Sequence, residues 1–245
     1  MKKFITAFVL LGASVLLSAA ESGADALTEK SSASKVTALY QKILAAAKKS
    51  PPAPGSIICI GSSQMQNWKT VSADLEPLTV FNYGVGGSKM SHAAELYITN
   101  LVIPFNPRAV ILYEGSNDIM DKTGKTKPET VLENFRQLES KLHAALPQAR
   151  LYVLGLVPSP GKRFELIDDI RKTNTLLRQE CETQTWIKFL DTTSPLIGAD
   201  GVPKAECFIP GNIHMTAAGY EVWKSVIAPV IVPAEKRFEP AAAGR

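Results

Sequence analysis

Residues 57–68 read IICIGSSQMQNW. Four apolar residues, Ile57, Ile58, Cys59 and Ile60, run into Gly61; two serines, Ser62 and Ser63, follow, and then a polar stretch of helix-forming residues begins. A buried strand that stops at a Gly-Ser turn holds a hydroxyl at the carboxyl edge of a sheet, where open α/β folds place their ligands. A Ser-rich turn with no chemical role accounts for the same residues. The choice between the two rests on whether the rest of the chain supplies partners for a serine.

Working outward, Val36, Leu39, Tyr40, Ile43 and Leu44 precede this strand at helical spacing, up to Lys48 and Lys49, whose charge suits a helix C-terminus. The Pro- and Gly-rich residues 50–55 stop that helix. After the serines come a short apolar strand at 78–81, the glycine-rich loop 82–88 and a helix over 89–103 closed by Pro104 and Pro107. The run AVILY at 109–113 is typical of a strand buried on both faces, and it leads into the turn Gly115-Ser116-Asn117-Asp118. Pro128 suits the first turn of a helix that ends at Pro147. A strand over 151–157, a helix over 163–184 and a strand over 186–190 follow. A long loop then carries the chain to Gly211-Asn212-Ile213-His214, before a last helix capped by Thr216. Strands alternating with helices predict parallel pairing, right-handed crossovers and helices on both faces. The expectation is one three-layer, doubly wound α/β domain over residues 34–232, preceded by a leader (21–33) and followed by a C-terminal tail (233–245).

The chain has 245 residues, 45% of them hydrophobic, which suits one substantial core. Residues 1–20 read as a signal peptide: Lys2 and Lys3, an apolar run, then Ser18, Ala19 and Ala20. The expected address is therefore periplasmic or extracellular, with no stable membrane insertion after cleavage. Half of the formal charge of +4 lies in that signal segment, so the balance argues against a nucleic-acid partner. Three cysteines are too few for a disulfide framework and lack paired metal spacing. Cys59 fits a small core residue; Cys181 and Cys207 either pair in an oxidising compartment or stay free.

A nucleophilic serine needs a base, and histidine is the usual one near neutral pH. His92 and His143 fall within helices, where exposed or structural roles are expected. His214 follows the fifth strand and comes to the same sheet edge as Ser63, which makes it the base candidate; a structural loop histidine is the competing reading. Gly84, Gly86 and Gly87 allow a backbone N–H to approach a substrate, and Asn117 adds a side-chain amide; both are of use to an oxyanion. A phosphate cradle is disfavoured, because Lys89 stands where a dinucleotide fingerprint needs glycine and no Gly-Lys-Ser/Thr triplet occurs. No two histidines have metal-ligand spacing.

Four blocks in order, Gly61-Ser62-Ser63, Gly84-Val85-Gly86-Gly87, Gly115-Ser116-Asn117-Asp118 and His214 before a Gly-Tyr helix, resemble those of the SGNH (GDSL-type) hydrolase family. The resemblance is closest to a bacterial exported branch with Gly-Ser-Ser in the first block and Tyr-Glu-Gly-x-Asn-Asp in the third. Echoes at Pro158-Ser159-Pro160 and Asn174-Thr175-Leu176-Leu177 extend it over most of the chain. It implies a flavodoxin-like five-stranded sheet of order 2-1-3-4-5. It implies Ser63 as nucleophile, His214 as base, and an oxyanion hole built from the Ser63 and Gly87 N–H groups and the Asn117 side chain, with no cofactor and no metal.

One position departs from the family pattern: the triad aspartate is expected three residues before the histidine, and Gly211 stands there. Orientation of His214 then falls to a main-chain carbonyl of the 207–211 loop, which is the favoured expectation, or to a carboxylate from elsewhere; otherwise the enzyme is impaired. The reading is an exported serine esterase acting on carboxylic esters of small molecules or glycans, with short acyl groups such as O-acetyl. The alternatives are a catalytically impaired glycan-binding protein and an O-acyltransferase using the same serine.

Overall fold

The structure, a computed structural model, describes residues 33–120 and 126–239. The expected signal peptide and most of the expected leader lie outside these. A helix over residues 33–49 (α1) precedes strand β1 (Ile57–Gly61), short helices α2 (Ser63–Asn67) and α3 (Val71–Asp74), and β2 (Val80–Gly84). Next come α4 (Met90–His92), running directly into a π-helix (Ala93–Val102), then β3 (Ala109–Tyr113), α5 (Ser116–Ile119) and α6 (Pro128–Ala145). Strand β4 (Arg150–Leu154), a 3₁₀ turn (Gly161–Leu166), α7 (Ile167–Glu182), β5 (Ile187–Leu190) and α8 (Ala217–Lys236) complete the order.

The five strands form one sheet in the order β2-β1-β3-β4-β5, and every neighbouring pair is parallel. This is the expected flavodoxin-like order. Strands β1 and β3 are buried along their whole length, which is why both read as unbroken apolar runs. One helical layer joins the π-helix, α6 and α7, with α1 added through Tyr40 stacked on Tyr97 at 5.4 Å. The other layer joins α2, α3 and α8 through Trp68, Tyr220 and Trp223 and the Lys224–Asp74 ion pair.

Three differences from the sequence reading have physical causes. The helix expected over 89–103 is a π-helix for most of its length. Helix α7 starts at Ile167 rather than 163, because residues 161–166 take the tighter 3₁₀ form. Helix α8 passes Pro229 and Pro233 and ends at Lys236, beyond the expected domain end at 232. Ionic contacts hold that last turn: Glu235, fully buried, accepts from Arg108, Arg150 and the Tyr152 hydroxyl, and Glu239 pairs with Arg108. All three thiols are free and buried, and burial pushes Cys181 up to about 12. Among the described residues no helix is long and apolar enough to cross a membrane, and no group of three or more His, Cys, Asp and Glu could hold a metal ion.

Candidate active site

Strand β1 ends at Gly61, where a Cβ would lie 2.1 Å from the Tyr113 carbonyl oxygen of β3; only glycine lets the chain turn here against its neighbour. The turn separates the two serines. Ser62 is fully buried, its Oγ 3.5 Å from that of Ser116, while Ser63 opens α2 and is half-buried. As the first residue of a helix, Ser63 has no intrahelical acceptor for its N–H.

The loop after β2 lies against the same turn. Gly86 donates its N–H to Gln66 Oε1 at 2.9 Å and packs beside the Ser63 Cβ. Gly87 is exposed, and its N–H meets no acceptor among the described residues. Asn117, in α5 after β3, donates Nδ2 to the Ser88 carbonyl at 2.8 Å and accepts at Oδ1 from Arg163 Nη2 at 2.8 Å. A carbonyl can only accept and a guanidinium can only donate, so this pairing fixes which way the carboxamide points. One Nδ2 hydrogen remains for a ligand.

His214 reaches this edge because its loop is tied to the Ser62–Ser63 turn. Gln64, next to Ser63 and buried, donates Nε2 to the Ile213 carbonyl at 2.8 Å and accepts the Met215 N–H at 3.3 Å, so it grips both chain neighbours of His214. Ser159 Oγ also donates to the Ile213 carbonyl, at 2.7 Å, and the Tyr220 hydroxyl bonds the Gln64 carbonyl at 2.8 Å. His214 Nε2 is buried from solvent and has no hydrogen-bond partner among the described residues. Burial first and the Arg163 charge second hold the imidazole below its usual pKa, so it is neutral at pH 7.

The expected main-chain acceptor for Nδ1 is not the one found. Gly211 is exposed with φ of +68°, and past it Asn212 folds its side chain back over the turn. Asn212 Oδ1 accepts from the Ile213 N–H at 2.7 Å and the His214 N–H at 3.2 Å, and lies 2.9 Å from His214 Nδ1. An amide oxygen at that distance selects the tautomer with the proton on Nδ1, leaving the Nε2 lone pair free. The other two histidines have structural partners: His92 Nδ1 accepts the Lys89 N–H at 2.9 Å, and His143 stacks on Trp186 at 4.7 Å.

Four residues that shape the site were not singled out in the sequence as site residues: Gln64, Ser159, Arg163 and Asn212. Ser159 lies in the Pro-Ser-Pro echo, and Arg163 follows a strand on the edge that carries Ser63; position after a strand was the available signal. Gln64 had none, because its bonds span 149 and 151 residues of sequence. A cleft of about 570 Å³ opens beside His214, with Asn67, Lys69, Thr70, Ile209 and Glu221 among its walls.

A family model described as "GDSL-like Lipase/Acylhydrolase family" matches residues 56–222. Platelet-activating factor acetylhydrolase IB subunit alpha2 of Homo sapiens is 23% identical over 167 residues, covering 67% of this chain and 70% of that protein. Among solved structures, a GDSL-like lipase from Bacteroides thetaiotaomicron superimposes with a TM-score of 0.66 at 18% identity, covering 80% of this chain and 98% of that one. A carbohydrate esterase family 3 protein from Talaromyces cellulolyticus gives 0.55 at 17% identity, covering 75% and 99%. With the sheet order, the blocks at its carboxyl edge and the matched span in agreement, this chain belongs to the GDSL-like lipase/acylhydrolase family and is a carboxylic ester hydrolase.

Proposed function

We propose that the enzyme is exported and cleaves short acyl groups, such as O-acetyl, from a hydrophilic alcohol such as a sugar, through an acyl-serine at Ser63. The observation that carries this reading is the double grip of Gln64 on Ile213 and Met215, which ties the loop of His214 to the turn that presents Ser63. Ser63 Oγ attacks the ester carbon as its proton passes to His214 Nε2. The N–H groups of Ser63 and Gly87 and the Asn117 amide receive the oxyanion. The C–O bond then breaks as His214 returns the proton to the leaving alkoxide. Water adds to the acyl-serine with His214 again taking a proton; the acid departs and Ser63 regains its hydrogen. The Ser63–His214 hydrogen bond is absent in the free protein, and such contacts commonly tighten only once substrate is bound.

The sugar-like leaving group rests on the cleft beside His214, which sets Asn67 and Glu221, groups able to bond hydroxyls, beside the apolar surfaces of Ile209, Met215 and Tyr220 that suit the face of a sugar ring. Export rests on the charged and apolar segments of residues 1–20. The test is burst release from 4-nitrophenyl acetate, comparing wild type with Ser63→Ala. A stoichiometric burst from the wild type alone supports the acyl-serine; equal inactivity of the two, with retained binding of an acetylated oligosaccharide, sinks it in favour of a binding role. Acyl transfer to an added sugar at the expense of free acid would reassign the second step to an acyltransferase.

A further inference from the structure

Arg163 is 4% exposed, and none of the described carboxylates pairs with it. Its Nη2 bonds Asn117 Oδ1, and its Nε has no partner among the described residues. Buried guanidinium groups keep their proton, and they are normally matched by a carboxylate or phosphate, because an isolated charge loses its hydration with nothing in return. Here the group lies one hydrogen bond behind the amide proposed to receive the oxyanion, and the titratable groups that feel its charge are Tyr113 and His214. No counter-charge pairs with it among the described residues, and in the reaction proposed above a negative charge develops one amide away from it when the ester carbon becomes tetrahedral.

We propose that Arg163 is a positioning residue for the oxyanion hole, locking the Asn117 carboxamide with Nδ2 toward the reacting oxygen and backing it with a buried positive charge. The inference rests on the site assigned above and deepens it. It also explains how a site without the triad acid works. A carboxylate beside His214 would stabilise the imidazolium; this chain instead invests in the anion, the other half of the ion pair formed in the transition state. The polarised amide is a better donor for a full negative charge than for a neutral carbonyl. The gain therefore falls on kcat rather than on substrate binding.

The experiment measures kcat and KM on 4-nitrophenyl acetate for Arg163→Met, Arg163→Lys, Asn117→Ala and the double variant Arg163→Met/Asn117→Ala, with folding followed by circular dichroism. Arg163→Met is expected to lose about 30-fold in kcat with KM little changed, somewhat less than removal of a whole oxyanion donor. Arg163→Lys recovers part of the loss, and the double variant is no slower than Asn117→Ala alone, because the arginine acts through the amide. The acid limb of kcat/KM moves to higher pH in Arg163→Met, since a cation that disfavours protonated His214 is gone. Wild-type kcat in Arg163→Met, or losses that multiply in the double variant, would overturn the inference while leaving the site assignment intact. Wild-type activity in Asn117→Ala would overturn both. Should Arg163→Met fail to fold, Arg163→Lys decides: a kcat loss that vanishes in the Asn117→Ala background supports the inference, and one that persists refutes it.

Discussion

At His214, two groups act on one ring. Asn212 orients Nδ1 through a neutral and exposed oxygen, while burial and Arg163 keep the ring unprotonated. Because the proposed base is active only when neutral and its pKa lies below the usual 6.5, kcat/KM should be flat through neutrality and fall only at lower pH. A plateau that breaks above pH 7 in a stopped-flow pH series would contradict this. Asn212→Asp keeps the acceptor geometry and adds the missing charge, so kcat should rise about tenfold and the acid limb move to higher pH. Asn212→Ala removes both the turn and the orienting oxygen and should cost about tenfold or more. Gly211→Asp, at the family position, should gain less than Asn212→Asp. The new residue must adopt φ of +68° at an exposed turn, a conformation that strains side chains and points this one into open solvent.

Among the elements, helices α6 and α7 meet at a buried acid. Glu139 is 8% exposed, its Oε2 lacks a partner among the described residues, and its pKa is raised to about 7 by burial and then by Glu180, which Arg136 engages at 2.6 Å. A folded pKa above the unfolded one means the contribution to stability is full below about pH 4.3 and is lost as pH rises through about 7. Glu139→Gln should therefore melt about 2–4 °C above wild type at pH 8, with the difference gone by pH 4. Thermal unfolding at the two pH values checks the sign; an equal shift at both would point to packing instead. The periodicity of α6 was legible because its apolar stripe, Val131, Phe135, Leu138 and Leu142, faces the core. The π-helix was not legible, since Ala93–Val102 carries an apolar face that fits either helical form and hydrogen-bond register is set by what it packs against.

Over the whole molecule, the two ends of the sheet have separate jobs. The carboxyl ends of the strands carry Ser63, Gly87, Asn117, Arg163 and His214. At the amino ends, Arg108 and Arg150 converge with Tyr152 on Glu235 at 3.2, 2.6 and 2.7 Å, fastening the last turn of α8 to the sheet. Removing one partner of a buried ionic cluster strands the others, so Glu235→Ala should destabilise the fold by about 3–5 kcal/mol in urea unfolding. The kcat of the folded enzyme, measured well below its melting temperature, should be unchanged, because the cluster and the chemistry lie at opposite edges. A large kcat loss in the folded variant would show that the two ends are coupled.

Sequence alone determined the alternation of strands and helices, the single sheet and the block pattern, because each is written in short-range signals: apolar runs, turn glycines and capping residues. It also brought Ser63 and His214 to one edge, since parallel strands with crossovers all open toward the same side. Tertiary structure decided what holds His214. Asn212 became its partner through the turn at Gly211, and Gln64 fixed the loop through bonds spanning about 150 residues, a separation at which no local pattern records contact. It decided the standing of Arg163 for the same reason. A charged residue at the start of a helix reads as solvated until packing shows it buried, with no counter-ion among the described residues, behind the amide of Asn117.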